Sequence, residues 1–239
     1  MRYLCGMLMI CLAGLVQGAE PSGKVITINT AMGTSLQGYI AGPERATRAI
    51  LLLHDRWGMN ETMRQWVDRY AAKGYLALTI DVFDGRASNN MELATEIMNS
   101  VDPEWIKQDV LAGLKYLAAP RRAVFTLGAG LGGWQSFQAA LLAPEQVAAT
   151  VVLYGDMEVT AKDTAKIHSP ILGVFGKHDL QVTHEAVNGY QAALKKPQSP
   201  HRFITLDVGH GFIDPFYPDY NQVIADDAWV QIDRFLDSK

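Results

Sequence analysis

Val124-Phe125-Thr126-Leu127-Gly128-Ala129-Gly130-Leu131-Gly132-Gly133 is a short apolar run that breaks into four glycines within six residues. The run predicts a strand over 123–127, and Gly133 to Leu142 has the composition of a helix directly after it. A strand that passes into a helix through glycines makes a tight turn. There backbone packs against backbone, and the central residue takes a φ above zero that other residues reach only under strain.

Outward from this turn the same alternation repeats. Strands are predicted at Val25–Asn29, Leu36–Ala41, Ala49–Leu53, Leu76–Ile80, Thr150–Tyr154, Ile171–Phe175 and Phe203–Leu206. Helices are predicted at Glu61–Ala72, Met91–Asn99, Glu104–Ala118, His184–Leu194 and Tyr220–Leu236. Ile106, Val110, Leu114 and Leu117 line up as one apolar stripe. The first two strands adjoin through Met32-Gly33-Thr34, and helix-sized crossovers separate most of the others. This predicts an α/β class: a mostly parallel sheet of about eight strands, helices on both faces, and an antiparallel hairpin at its leading edge. Ligands then gather at the carboxyl ends of the strands.

Two further loops leave that same edge. Gly176-Lys177-His178-Asp179 follows one strand, and Asp207-Val208-Gly209-His210-Gly211-Phe212 follows the next. A nucleophile turn, then an acid, then a histidine is the chain order of an α/β-hydrolase, and an aspartate in that position orients an imidazole and stabilises its charged form. Asp179 alone could instead cap the helix that starts near Thr183. His54, His168, His178, His184 and His201 read as structural histidines. Gly128, Gly130 and Gly133 also satisfy G-x-G-x-x-G, with Asp156 after a later strand, as in a dinucleotide site. That turn normally follows the first strand of its unit, whereas several strands precede it here.

With His54-Asp55-Arg56-Trp57-Gly58-Met59-Asn60, Asp81-Val82-Phe83, the glycine turn, Tyr154-Gly155, the Asp179 and His210 loops and Asp227-Ala228-Trp229 in this order, the chain resembles the dienelactone hydrolases over nearly all of residues 20–239. The resemblance implies an α/β-hydrolase fold and a monomeric hydrolase of lactones and small esters, with no metal or organic cofactor. It also implies Asp179 as acid, His210 as base, and the backbone N–H groups of Leu131 and Arg56 as oxyanion donors. Asp55 falls where the family has a glutamate that touches the nucleophile, and Arg86 near its carboxylate-binding arginine. Trp57, Trp134 and Phe212 are expected as pocket wall or core. The departure is Gly130, which stands where the family has its cysteine or serine. No acyl-enzyme can form on glycine, and Ser136 lies about a turn and a half further into the helix.

Composition narrows the remaining classes. The 239 residues are 49% hydrophobic, enough for one buried core. A net charge of −4 gives no basic surplus for nucleic acid. Met1-Arg2, an apolar run to Val16, then Gln17-Gly18-Ala19 predict a cleaved secretory signal over 1–19, a single domain over 20–239, and a periplasmic or secreted protein with no membrane attachment after cleavage. Cys5 and Cys11 both lie in that leader. The processed chain then has no disulfide and no thiolate, and no two potential ligands recur at zinc spacing. A small molecule is the expected partner.

Overall fold

The computed structural model describes residues 23–160, 162–194 and 201–239; the leader expected at 1–19 lies outside them. The strands are β1 (Lys24–Asn29), β2 (Ser35–Ala41), β3 (Arg48–Leu53), β4 (Leu76–Ile80), β5 (Ala123–Ala129), β6 (Val147–Leu153), β7 (Ile171–Gly176) and β8 (Arg202–Leu206). They form one sheet in the order β1-β2-β4-β3-β5-β6-β7-β8. β1 pairs antiparallel with β2, and β2 antiparallel with β4. From β4 to β8 every pairing is parallel, so the ends of β3, β5, β7 and β8 open on one edge.

The helices are α1 (Glu61–Ala72), α2 (Met91–Asn99), α3 (Pro103–Leu117), α4 (Leu131–Leu142), α5 (Asp163–Lys166), α6 (His184–Leu194) and α7 (Gln222–Asp237). The one-turn α5 was not foreseen, being too short to show a period. α4 begins two residues earlier than the sequence suggested, because Gly130 itself takes the cap position.

Strand β3 shows why the sheet is covered on both sides. Ala49 through Leu53 are fully buried, yet their side chains alternate in direction. Ile50 and Leu52 pack with Trp66, Val67 and Tyr70 of α1. Leu51 and Leu53 pack with Ile106, Val110, Leu114 and Leu117, the apolar stripe of α3. Each such aliphatic side chain contributes about 2 kcal/mol by leaving water, so a polar residue anywhere in β3 is costly.

Most helices start on a side-chain cap. Asn60 accepts from the Met63 N–H at 3.1 Å, and Asp102 from the Glu104 N–H at 2.8 Å with Pro103 in the first turn. α4 differs: its cap, Gly130, has no side chain to accept. The first N–H of α4 is satisfied from the loop after β3, and that exchange builds the candidate site.

Candidate active site

Gly130 adopts φ 54° and ψ −117°, a conformation that L residues hold only under strain. Packing enforces it. A methyl group on Gly128 would overlap the Gly132 backbone, and one on Gly132 would overlap the Leu53 carbonyl. The Gly130 N–H donates to the Leu153 carbonyl at 2.9 Å, and its own carbonyl accepts from the Trp134 N–H at 3.1 Å. The turn is thus wedged between the ends of β3 and β6. Ser136 points away from it, with its hydroxyl donating to Thr126 Oγ1 at 2.9 Å in the core.

The loops after β7 and β8 meet beside this turn. His210 Nδ1 donates to Asp179 Oδ2 at 2.7 Å, with only 8% of His210 and 4% of Asp179 exposed. Asp179 Oδ1 accepts from the N–H groups of Gln181 and Val182 at 2.7 and 2.9 Å. One oxygen therefore fixes the loop before α6 and the other fixes the imidazole. With the proton on Nδ1, Nε2 presents a lone pair, and it has no hydrogen-bond partner among the described residues. The rings of Tyr154 and Tyr217 stand edge-on to the imidazole at 4.8 and 5.3 Å. Burial, then the charge of Asp55, pushes the Tyr154 phenol well above its ordinary range. It stays a donor, and its hydroxyl is buried without a partner among the described residues.

Asp55 completes the site. Its Oδ1 accepts from the Arg56 N–H at 2.7 Å and the Leu131 N–H at 3.0 Å. Its Oδ2 accepts from the Tyr217 hydroxyl at 2.6 Å. The two amides expected to hold an oxyanion converge on one oxygen, and that oxygen belongs to Asp55. A Cβ at residue 130 would stand 2.5 Å from the Asp55 carboxyl carbon and 2.6 Å from Oδ2. The carboxylate thus fills the volume a side chain at position 130 would need, at the positive end of α4.

Neighbouring groups hold it there. His54, fully buried, accepts the Val82 N–H on Nε2 at 3.2 Å and donates from Nδ1 to the Asp55 carbonyl at 2.8 Å. Burial lowers its pKa, so it serves as a neutral brace. Asp214, whose Oδ1 accepts from the Phe216 N–H at 3.0 Å, is raised to about 6, mainly by burial and further by the charge of Asp55.

A cavity of about 300 Å³ opens over the turn, lined by Arg56, Gly130, Trp134, Tyr154, Gln181 and His210 among others. Of the expected wall residues, only Trp134 faces it. Trp57 is buried against Phe216 and Tyr217, with ring centroids 5.7 and 5.1 Å away. Phe212 packs edge-on to Tyr154 at 5.2 Å, behind the wall. Arg86 is not brought to the site. Asp81 accepts from the N–H groups of Phe83 and Gly85 and winds its loop tightly. The Arg86 guanidinium then donates to the Phe83 carbonyl and the Ser100 hydroxyl, both at 2.8 Å, and it lines a separate cleft of about 570 Å³ with Asp81 and Asp109. Asp156 does reach the 300 Å³ cavity, where it accepts from the Tyr190 hydroxyl at 2.6 Å. The α4 N–H that a dinucleotide phosphate would use is taken by Asp55. Tyr217 and Gln181 carry no local pattern that marks them as site residues, and Tyr154-Gly155 stands out only as part of the family pattern.

No group of three or more His, Cys, Asp or Glu residues among those described could hold a metal ion. No helix among the described residues is long and apolar enough to cross a membrane.

Residues 36–239 match the model of the dienelactone hydrolase family. Protein usf of Aquifex pyrophilus is 25% identical over 217 residues, covering 82% of this chain and 90% of that protein. A dienelactone hydrolase-like promiscuous phosphotriesterase from metagenomic libraries superposes with a TM-score of 0.76 at 20% identity, over 91% of this chain and 98% of the other. The Pyrococcus furiosus esterase Pf2001 gives 0.70 at 17% identity, over 94% and 97%. The structural likenesses establish the α/β-hydrolase fold, and the match over residues 36–239 establishes that this chain belongs to the dienelactone hydrolase family.

Proposed function

We propose that the protein is an exported hydrolase of small esters or lactones in which His210, oriented by Asp179, activates a water molecule and residue 130 carries no covalent intermediate. The observation that carries this reading is the 2.7 Å contact between His210 Nδ1 and Asp179 Oδ2 on the wall of a cavity at the turn. It leaves Nε2 as a base without a partner among the described residues, on a histidine that lines the cavity, and such a histidine takes a proton from water. Losing the attacking side chain of a triad costs about a millionfold in turnover, leaving about 10³ to 10⁴ over water from the rest of the site. Turnover is therefore expected to be slow. Export rests on the leader pattern of residues 1–19.

A second reading, a pocket that binds a small molecule without turning it over, is favoured by Asp55. With both amides already engaged, an ester carbonyl entering the cavity finds neither of them free. One comparison separates the two readings. Hydrolysis of p-nitrophenyl acetate and small lactones is followed in the wild type and in His210→Ala. Turnover above buffer that disappears with the imidazole supports the hydrolase. No turnover in either protein, with unchanged binding of a lactone by calorimetry, supports the binding protein.

A further inference from the structure

Taking His210 and Asp179 as the base, we infer that Asp55 is the nucleophile of this site and that it attacks saturated carbon, with epoxides as the substrate class. The carboxyl group stands where a nucleophilic side chain at residue 130 would stand. All three of its partners donate to it, two to Oδ1 and one to Oδ2. Oδ2 therefore accepts a single hydrogen bond and lies against Gly130, which lines the cavity. Carboxylates serve as nucleophiles wherever the ester they form is hydrolysed afterwards.

The placement of the amides selects the substrate. An acyl substrate needs them for its own carbonyl oxygen in the first step, and here they hold Oδ1. Displacement at an epoxide carbon builds no oxyanion at the carbon attacked; the charge falls on the departing ring oxygen, which needs a proton donor and not these two amides. They are needed in the second step, when water adds to the Asp55 carboxyl carbon and the negative charge forms on Oδ1. That oxygen already sits 2.7 and 3.0 Å from both donors, as preorganised stabilisation requires. The leaving group is selected by Tyr154, a buried phenol on the cavity wall with no partner among the described residues. It suits an oxygen that must gain a proton as its bond to carbon breaks.

The steps balance. Oδ2 of Asp55 bonds to an epoxide carbon, the ring C–O bond breaks, and the ring oxygen takes the Tyr154 proton. His210 Nε2 then takes a proton from water while the water oxygen adds to the Asp55 carboxyl carbon. The tetrahedral species collapses and expels the ester oxygen, which takes the proton from His210, and the carboxyl proton returns to Tyr154. The sum is epoxide plus water to a vicinal diol.

Styrene oxide is a suitable probe. In His210→Ala the first step proceeds and the second stalls, so peptide mapping should show a mass gain of one styrene oxide on Asp55, absent from His210→Ala/Asp55→Asn. In the wild type, a single turnover in H₂¹⁸O should place the label in the Asp55 carboxyl group and leave the first diol unlabelled. A folded His210→Ala protein with no adduct on Asp55, or a wild-type first diol that carries the label, overturns the proposal. If the wild type ignores styrene oxide but still hydrolyses p-nitrophenyl acetate through His210, the nucleophile assignment fails and the dyad stands. If styrene oxide turns over equally well without His210, the dyad fails, and the Asp55 assignment falls with it.

Discussion

The strand ends around the cavity fall into two groups. β7 and β8 deliver Asp179 and His210, whose hydrogen bond at 2.7 Å is what a base and its orienting acid require. β3 and β5 deliver Asp55 and Gly130, where a carboxylate from one loop occupies the volume that a side chain from the other would fill. In this second pair Gly130 holds φ 54° with no side chain to present. Conformation at the turn is thus set by how closely Gly128, Gly132 and Leu53 pack, independently of the chemistry displayed there.

The strongest challenge to this contrast is Asp179→Asn. The amide can still accept from Gln181 and Val182, but it no longer holds the imidazole in one tautomer. Any hydrolysis that depends on His210 should fall about 10⁴-fold, measured as kcat with the melting temperature as a check on folding. An unchanged rate would mean that the β7–β8 pair is as idle as a purely structural contact.

Next comes rearming the turn. Gly130→Ser alone should gain little, because its Cβ meets a carboxyl group held by three hydrogen bonds. Gly130→Ser/Asp55→Ala vacates the amides and the volume together. It should hydrolyse p-nitrophenyl acetate about 10³-fold faster than the single variant, a fraction of what a complete triad supplies, and should label with a fluorophosphonate. Equal rates for the two would show that Asp55 is no obstacle.

Gly128→Ala probes the packing itself. A methyl group there overlaps the Gly132 backbone, and the cost should be about 3 kcal/mol, at the upper end of overpacking penalties, read from urea unfolding. The smallest effect concerns Asp214. Its folded pKa, about 6, lies above the ordinary 3.8. The native state therefore holds its proton more tightly, and the contribution is favourable below about pH 4 and lost as pH rises through about 6. Asp214→Asn, which keeps an acceptor for Phe216, should raise stability at pH 7 by about 2 kcal/mol and leave it unchanged at pH 4, checked by urea midpoints at both values.

Much of this architecture was legible in the sequence. β-branched runs such as Ala49–Leu53 and the three-four spacing of Ile106, Val110, Leu114 and Leu117 are local patterns, so the strands and the longer helices fell within a few residues of their observed bounds. The order of Gly130, Asp179 and His210 also carried enough to bring the three loops together. What stayed hidden was contact over long separations. Nothing local to Asp55 says that it meets Leu131, 76 residues on, or Tyr217, 162 residues on. Tyr217 sits in an aperiodic stretch, Pro215-Phe216-Tyr217-Pro218, that offers no pattern to read. The direction of Arg86 is hidden for the same reason, because it depends on how Asp81 winds the following turn.

The grip of Asp55 on the first N–H of α4 also imposes an ordering on descent. A serine arriving at position 130 while the carboxylate is in place meets an occupied niche, so that single replacement brings strain without benefit. A shorter or neutral residue at position 55 arriving first makes the same serine welcome. The two positions are therefore coupled: a side chain can appear at position 130 only after position 55 has changed, and an aspartate can appear at position 55 only after residue 130 has lost its side chain.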